Sequence, residues 1–175
     1  MRTEQPKTIY LKDYQQPDYW IDETQLTFEL FEDYTLVHSR LSIRLNDAKP
    51  QGETQPPLVL DGQLLELVSV ALDDQPLSSY QVDDDTLTLQ PHEASFALAI
   101  TTRIEPQNNT ALEGLYKSGG MFCTQCEAEG FRKITYYLDR PDVMSRFTTT
   151  VVADRGNYPV LLSNGNPIAA GEHEG

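Results

Sequence analysis

The sequence predicts a mostly β chain, a β-sandwich or a stack of antiparallel and mixed sheets with at most very short helices. Three observations carry this. Apolar residues alternate with polar ones in several short runs. Turn-forming pairs such as Asp61-Gly62 and Asn164-Gly165 separate those runs. Helix signals are scarce, and no helix beyond about two or three turns is expected.

The elements follow in order. Residues 1–17 are polar and read as a loose arm, with Tyr10 and Leu11 as its anchors. Trp20, Leu26, Phe28 and Leu30 are spaced by even numbers, which places them on one face of a strand. Glu32-Asp33 turns the chain, and Leu41, Ile43 and Leu45 resume the alternation, as in a hairpin. Residues 46–57 are rich in Pro and Gln, include Gly52, and read as a loop. Leu58-Val59-Leu60, the run 64–72, Leu87 with Leu89, and the run 96–104 are further strands. Asp61-Gly62 and Asp73-Asp74-Gln75-Pro76 turn the chain between them. In the run 96–104, Phe96, Leu98, Ile100 and Thr102 share a face. Pro141 opens a possible single helical turn over 141–146. Residues 147–153 and 158–162 are two last strands, parted by a turn at Asp154-Arg155-Gly156-Asn157. No repeat or internal boundary is visible, so residues 1–175 read as one domain.

Composition narrows the function. Lys plus Arg is 13 and Asp plus Glu is 27, a net charge of −14. That balance opposes binding to nucleic acid or to anionic membranes, both of which need a basic surface. No apolar stretch has the length of a membrane span. With two cysteines and no export signal in view, a reducing cytoplasm is the expected location.

Residues 108–146 differ from the strands around them. Gly114, Gly119, Gly120 and Gly130 sit there among rings and charges, as in functional segments. Cys123 and Cys126 form a C-x-x-C. A structural zinc needs four ligands and the chain offers no second pair, so two reduced thiols are expected. His92-Glu93 begins like H-E-x-x-H, but Phe96 stands where the second histidine belongs. His38, His92 and His173 are scattered. The cluster 136–142 reads as packing tyrosines, with Asp139 or Asp142 paired to Arg140 or Arg146. Gln125 and Glu127 are two apart, so in an extended segment a carbonyl and a carboxylate stand side by side. Such a pair suits an ammonium group, which only donates. Spacing alone fits a solvated acidic turn equally well.

Four strings occur in order: Asn109-Thr110-Ala111-Leu112-Glu113-Gly114-Leu115-Tyr116, Cys123-Thr124-Gln125-Cys126-Glu127-Ala128-Glu129-Gly130-Phe131-Arg132, Ile134-Thr135-Tyr136-Tyr137-Leu138-Asp139-Arg140-Pro141-Asp142 and Leu161-Leu162-Ser163-Asn164-Gly165-Asn166. Together they resemble the N-terminal domain of the bacterial aminopeptidase N family, the gluzincin type of zinc aminopeptidase. The resemblance implies a saddle of β-sheets that covers a catalytic domain. It implies that zinc is bound by that catalytic domain and not by this chain. Gln125 and Glu127 match the family's Gln-x-Glu pair, which lines the site for the substrate's free α-amino group. The implied partners are the N-terminus of a peptide and the parent's own catalytic domain. Family domains continue past the position of Gly175, so a C-terminally truncated domain is expected, inactive alone and prone to self-association through its uncovered face or an open sheet edge. A binding module that keeps the fold without catalysis is the alternative.

Overall fold

The computed structural model describes residues 10–49 and 54–173. Strands β1 (Tyr19–Leu30), β2 (Thr35–Leu45), β3 (Leu58–Asp61), β4 (Glu66–Leu72), β5 (Gln75–Pro76), β6 (Tyr80–Val82), β7 (Thr86–Leu89), β8 (Ser95–Ile104), β9 (Gly114–Ser118), β10 (Met121–Gln125) and β11 (Arg146–Ala153) follow in chain order. The helical pieces among the described residues are single 3-10 turns at Leu11–Asp13, Pro106–Asn108 and Phe131–Lys133. The mostly β reading therefore holds, with its expectation of no long helix.

The strands form a six-stranded sheet in the order β11-β1-β2-β8-β4-β5, a three-stranded sheet β3-β7-β6 and the hairpin β10-β9. The large sheet is mixed: β11 lies parallel to β1, and its other ladders are antiparallel. One face of it is apolar. Leu41 and Ile43 of β2 and Phe96, Leu98 and Ile100 of β8 pack there against Leu58 and Leu60 of β3 and Leu87 and Leu89 of β7. Further along, Leu26, Phe28, Val37 and Ile104 meet Leu115 of β9 and Ile134. Leu65 and Phe131 touch both clusters and join them. The opposite face is polar and laced with charge pairs, Arg44 with Asp22 at 2.9 Å and Arg103 with Glu66 at 2.9 Å.

Local chemistry explains the turns. Asp73 and Asp74 both have positive φ, 49° and 64°, as a two-residue type I′ turn between β4 and β5 requires. Gly119 and Gly120, at φ 56° and 85°, do the same between β9 and β10. Asp154 accepts from the Asn157 amide at 2.8 Å and closes the expected turn there.

Four expectations need correction, and a fifth, the pairing of Asp139 or Asp142 with Arg140 or Arg146, is met by one of its alternatives. Trp20 is half-buried, whereas Tyr19 and Ile21 are in the core; a bulge between Ile21 and Glu23 shifts the phase of β1, so that Thr24, Leu26 and Phe28 then face inward. Residues 158–162 form no strand, and Val160, Leu161 and Leu162 are exposed. Their apolar run lies against no ladder, and Pro159 lacks the amide a ladder needs. Residues 141–146 make no helical turn: Pro141 and Asp142 lie in a turn closed by Val143 N–H donating to the Arg140 carbonyl at 3.2 Å, and Arg146 already belongs to β11. The arm is held by Tyr14, whose hydroxyl donates to Asp142 at 2.9 Å, while Tyr10 and Leu11 are exposed. Asp139 pairs with Arg132, not with Arg140 or Arg146, and Arg146 takes Glu23 instead. Arg140 does hold Asp142, at 2.6 Å. The rest of the arm (1–9), Gly52 of the Pro-rich loop and residues 174–175 lie outside the described residues.

The Arg140–Asp142 pair yields a pH test. The Arg140 hydrogen bonds hold the Asp142 carboxyl below the ordinary aspartate range. A lowered folded-state pKa gives stability that is present above the unfolded value, about 3.9, and is lost as pH falls through the folded one. Asp142→Asn should therefore lower the urea midpoint at pH 7, and its difference from wild type should shrink below about pH 4. A difference independent of pH would show that the ion pair is not its source.

Candidate functional site

The hairpin β9-β10 delivers Gln125 at its end, paired with Gly114. Beyond Gln125 the chain leaves the strand and turns over residues 127–130. The turn is closed by the Gly130 amide donating to the Cys126 carbonyl at 2.8 Å. Two glycines let it sit so close to the hairpin. A Cβ on Gly130 would lie 2.5 Å from the Gln125 carbonyl oxygen and 3.1 Å from the Gly114 nitrogen. Gly114 has φ +72°, and a Cβ there would lie 2.8 Å from Lys133.

The expected extended segment through Glu127 is thus replaced by a strand end and a turn, and period-two spacing does not place the pair. A local contact does. The Gln125 side-chain amide donates to the Glu127 main-chain carbonyl at 3.2 Å. That bond uses the amide N–H and leaves the Gln125 carbonyl as an acceptor. Both side chains are exposed. The Glu127–Ala128 peptide bond is cis. Among the described residues no cation pairs with the Glu127 carboxylate.

The nearby cations are engaged elsewhere. Arg132 donates from Nε to Asp139 at 2.9 Å and from its terminal nitrogen to the Asp139 carbonyl at 3.0 Å. The same terminal nitrogen lies 3.4 Å from Glu129, and the other stands 4.0 Å from Asp61. Glu129 is therefore drawn to Arg132. Asp139 also accepts from the Arg132 amide at 3.1 Å. Burial pushes the Asp61 carboxyl up, against the pull of Arg132. Asp61 also pairs in the main chain with Tyr137, at 2.8 and 3.0 Å, which stitches 131–139 to β3. Over the large sheet the segment is fixed by Thr102 donating to the Ile134 carbonyl at 3.0 Å and by Ser39 with Thr135 at 3.1 Å. The exposed pair stands on a base tied to β3 and to the large sheet by these hydrogen bonds.

The remaining candidates carry no chemistry. Cys123 and Cys126 are free thiols, and burial pushes the Cys126 thiol up, away from reactivity. His92 and Glu93 lie in an exposed bend, and Phe96 is in the core. His38 sits on the polar face of the large sheet beside Glu29, at 3.4 Å. Among the described residues no group of three or more His, Cys, Asp or Glu could hold a metal ion. Sequence reasoning singled out Gln125 and Glu127 but missed Arg132 and Asp139 as their support. Two opposite charges seven residues apart, just after Gly130, were the available signal.

Known proteins bear on this arrangement. The family described as the Peptidase M1 N-terminal domain matches residues 21–175. The chain is 48% identical to aminopeptidase N of Escherichia coli (strain K12) over 172 residues, 98% of this chain and 19% of that protein. It superposes on the structure of Legionella pneumophila aminopeptidase A in complex with aspartic acid with a TM-score of 0.83 and 33% identity, covering 91% of this chain and 19% of that one. The fold alone is shared with the M1 zinc metallopeptidase of Deinococcus radiodurans, at a TM-score of 0.61 and 17% identity, over 78% of this chain and 32% of that one. The chain spans about a fifth of the length of the curated relatives it matches.

Proposed function

Because the chain belongs to the Peptidase M1 N-terminal domain family, we propose that it is the N-terminal domain of a cytoplasmic zinc aminopeptidase that removes N-terminal amino acids from peptides. Its own part in that reaction is to anchor the substrate's α-amino group. The observation that carries this is the exposed acceptor pair of Gln125 and Glu127, with no cation of the domain engaged on the Glu127 carboxylate among the described residues.

The chemistry favours this role. An exopeptidase must measure from the end of its substrate. The terminal ammonium has three donors and no acceptor, so a carboxylate and a carbonyl together fit it. Fixing the ammonium fixes the first peptide bond, which is where positional control of the rate is gained. The donor set of the described residues does not fit zinc. The metal would belong to the remainder of the parent. Met144, Phe147, Leu161 and Leu162 are exposed apolar residues, and we assign to them the covering of the catalytic domain.

Comparing free and N-acetylated peptides on the full-length parent tests the reading. The parent should release residues from a free amino end and leave the N-acetylated peptide intact, because acetylation removes the charge that Glu127 would meet. The chain of 175 residues alone should show neither turnover nor one zinc per chain by metal analysis. Equal cleavage of both peptides, or no cleavage of either, would reject the assignment.

A further inference from the structure

The guanidinium at the foot of the candidate site, Arg132, is engaged by the domain's own carboxylates. Arg132 is 16% exposed at its side chain and Asp139 is 10%. Both are too enclosed to greet a substrate, yet they sit seven residues apart at the foot of the turn that carries Glu127. The guanidinium spans three elements. It holds Asp139 from the strap after the 3-10 turn, Glu129 from the 127–130 turn, and Asp61 from the end of β3. Its main-chain carbonyl takes the Gln63 amide at 2.8 Å. The Asp139 amide in turn donates to Asp61 at 3.2 Å.

Two consequences follow for the exposed pair. Glu129 is a second carboxylate only two residues from Glu127. Left loose, it would compete for the same ammonium and displace its position. The 3.4 Å contact with Arg132 draws it to the base. The turn itself is gripped at Glu129 and at the Gly130–Cys126 hydrogen bond, so Glu127 between them has little freedom.

We propose that Arg132 is a positioning residue: through Glu129 and Asp139 it sets where the Glu127 carboxylate stands and keeps a second carboxylate out of the ammonium site. This rests on the anchoring role of Glu127. Arg132 touches no substrate, and its contribution passes through Glu127. The planar fork matters, because Nε and a terminal nitrogen engage the Asp139 carboxylate and carbonyl together, which a lysine cannot reproduce.

A mutant cycle on the full-length parent tests this, using an aminoacyl chromogenic substrate. Arg132→Ala leaves Asp139 enclosed without its partner and is open to misfolding. The informative variants are therefore Arg132→Lys and Glu129→Gln, each alone and combined with Glu127→Ala. Arg132→Lys should raise KM about tenfold with a smaller change in kcat, as loss of a contact worth about 1.4 kcal/mol would. Glu129→Gln should act in the same direction by a few-fold. Both effects should vanish in the Glu127→Ala background, because their target is gone. Equal effects with and without Glu127, or wild-type KM in Arg132→Lys at unchanged stability, would overturn the positioning role. Failure of the anchoring reading shows in a separate arm, as Glu127→Ala alone with unaltered kcat/KM, and it removes this proposal with it.

Discussion

Glu127→Ala in the full-length parent should lower kcat/KM for a dipeptide by about ten- to a hundredfold. The estimate follows from the loss of one charge-assisted contact to the substrate ammonium, worth about 1.5–3 kcal/mol. Folding and zinc content should not change. The side chain is exposed, it holds no partner in any ion pair at the base of the site, and it lies outside both apolar clusters. Gln125→Ala should cost less, because a neutral carbonyl is the weaker acceptor for a cation. Its amide also braces the Glu127 carbonyl at 3.2 Å, so the loss should stay linked to Glu127. The discriminating comparison is between substrates. In binding, the loss of affinity on Glu127→Ala should be large for a dipeptide with a charged amino end and small for its N-acetylated form, which is not cleaved. An unaltered kcat/KM for a dipeptide would show the anchor to be misassigned.

Most of the sheet architecture was legible because burial is one-sided. In β8, Phe96, Leu98, Ile100 and Thr102 alternate with polar or small residues, and all of them face the core. In β2 the same holds for Leu41 and Ile43. Legibility failed where that condition fails. β6 is three residues long and exposed along its whole length, so Tyr80 and Val82 are too few to set a period and bury nothing. β9 and β10 pack only at Leu115, with Phe122 half-buried, so alternation did not reveal their hairpin, whose turn is at Gly119-Gly120. The bulge in β1 is invisible to a counting rule, since it changes the phase without changing the residue types. At Tyr158, apolar residues suggested a strand, but the tyrosine instead donates to Glu32 at 2.9 Å and packs at a tilt against Phe122, with ring centroids 5.1 Å apart.

The site was legible as residue types and not as geometry. A strand was expected to align Gln125 with Glu127, whereas a turn and one side-chain hydrogen bond bring them together. The support was hidden for a physical reason. Whether Asp139 meets Arg132, Arg140 or Arg146 depends on how the strap crosses the large sheet, and sequence distance carries no record of that crossing.

Gly130→Ala should damage stability and the site together. Its φ of −88° and ψ of −14° are comfortable for alanine, so no backbone strain arises from the substitution itself. The chain-entropy effect of Gly→Ala would even favour the variant, by about 0.4–1 kcal/mol. Contact decides the sign. The new Cβ would stand 2.5 Å from the Gln125 carbonyl oxygen, 3.1 Å from the Cys126 Cα and 3.1 Å from the Gly114 nitrogen. All three are main-chain atoms, so no side chain can swing away and the turn must move. Overpacking of this kind costs about 1–3 kcal/mol, which exceeds the entropic gain. The displaced segment is the one that carries Glu127, so kcat/KM of the parent should also fall by at least about tenfold, corresponding to about 1.4 kcal/mol. Gly171→Ala is the control, since a Cβ there meets nothing within 4 Å. It should leave both the urea midpoint and kcat/KM unchanged. Gly130→Ala with both quantities at wild-type values would mean that the turn tolerates the added atom, and that the close approach of its glycine does not set the position of Glu127.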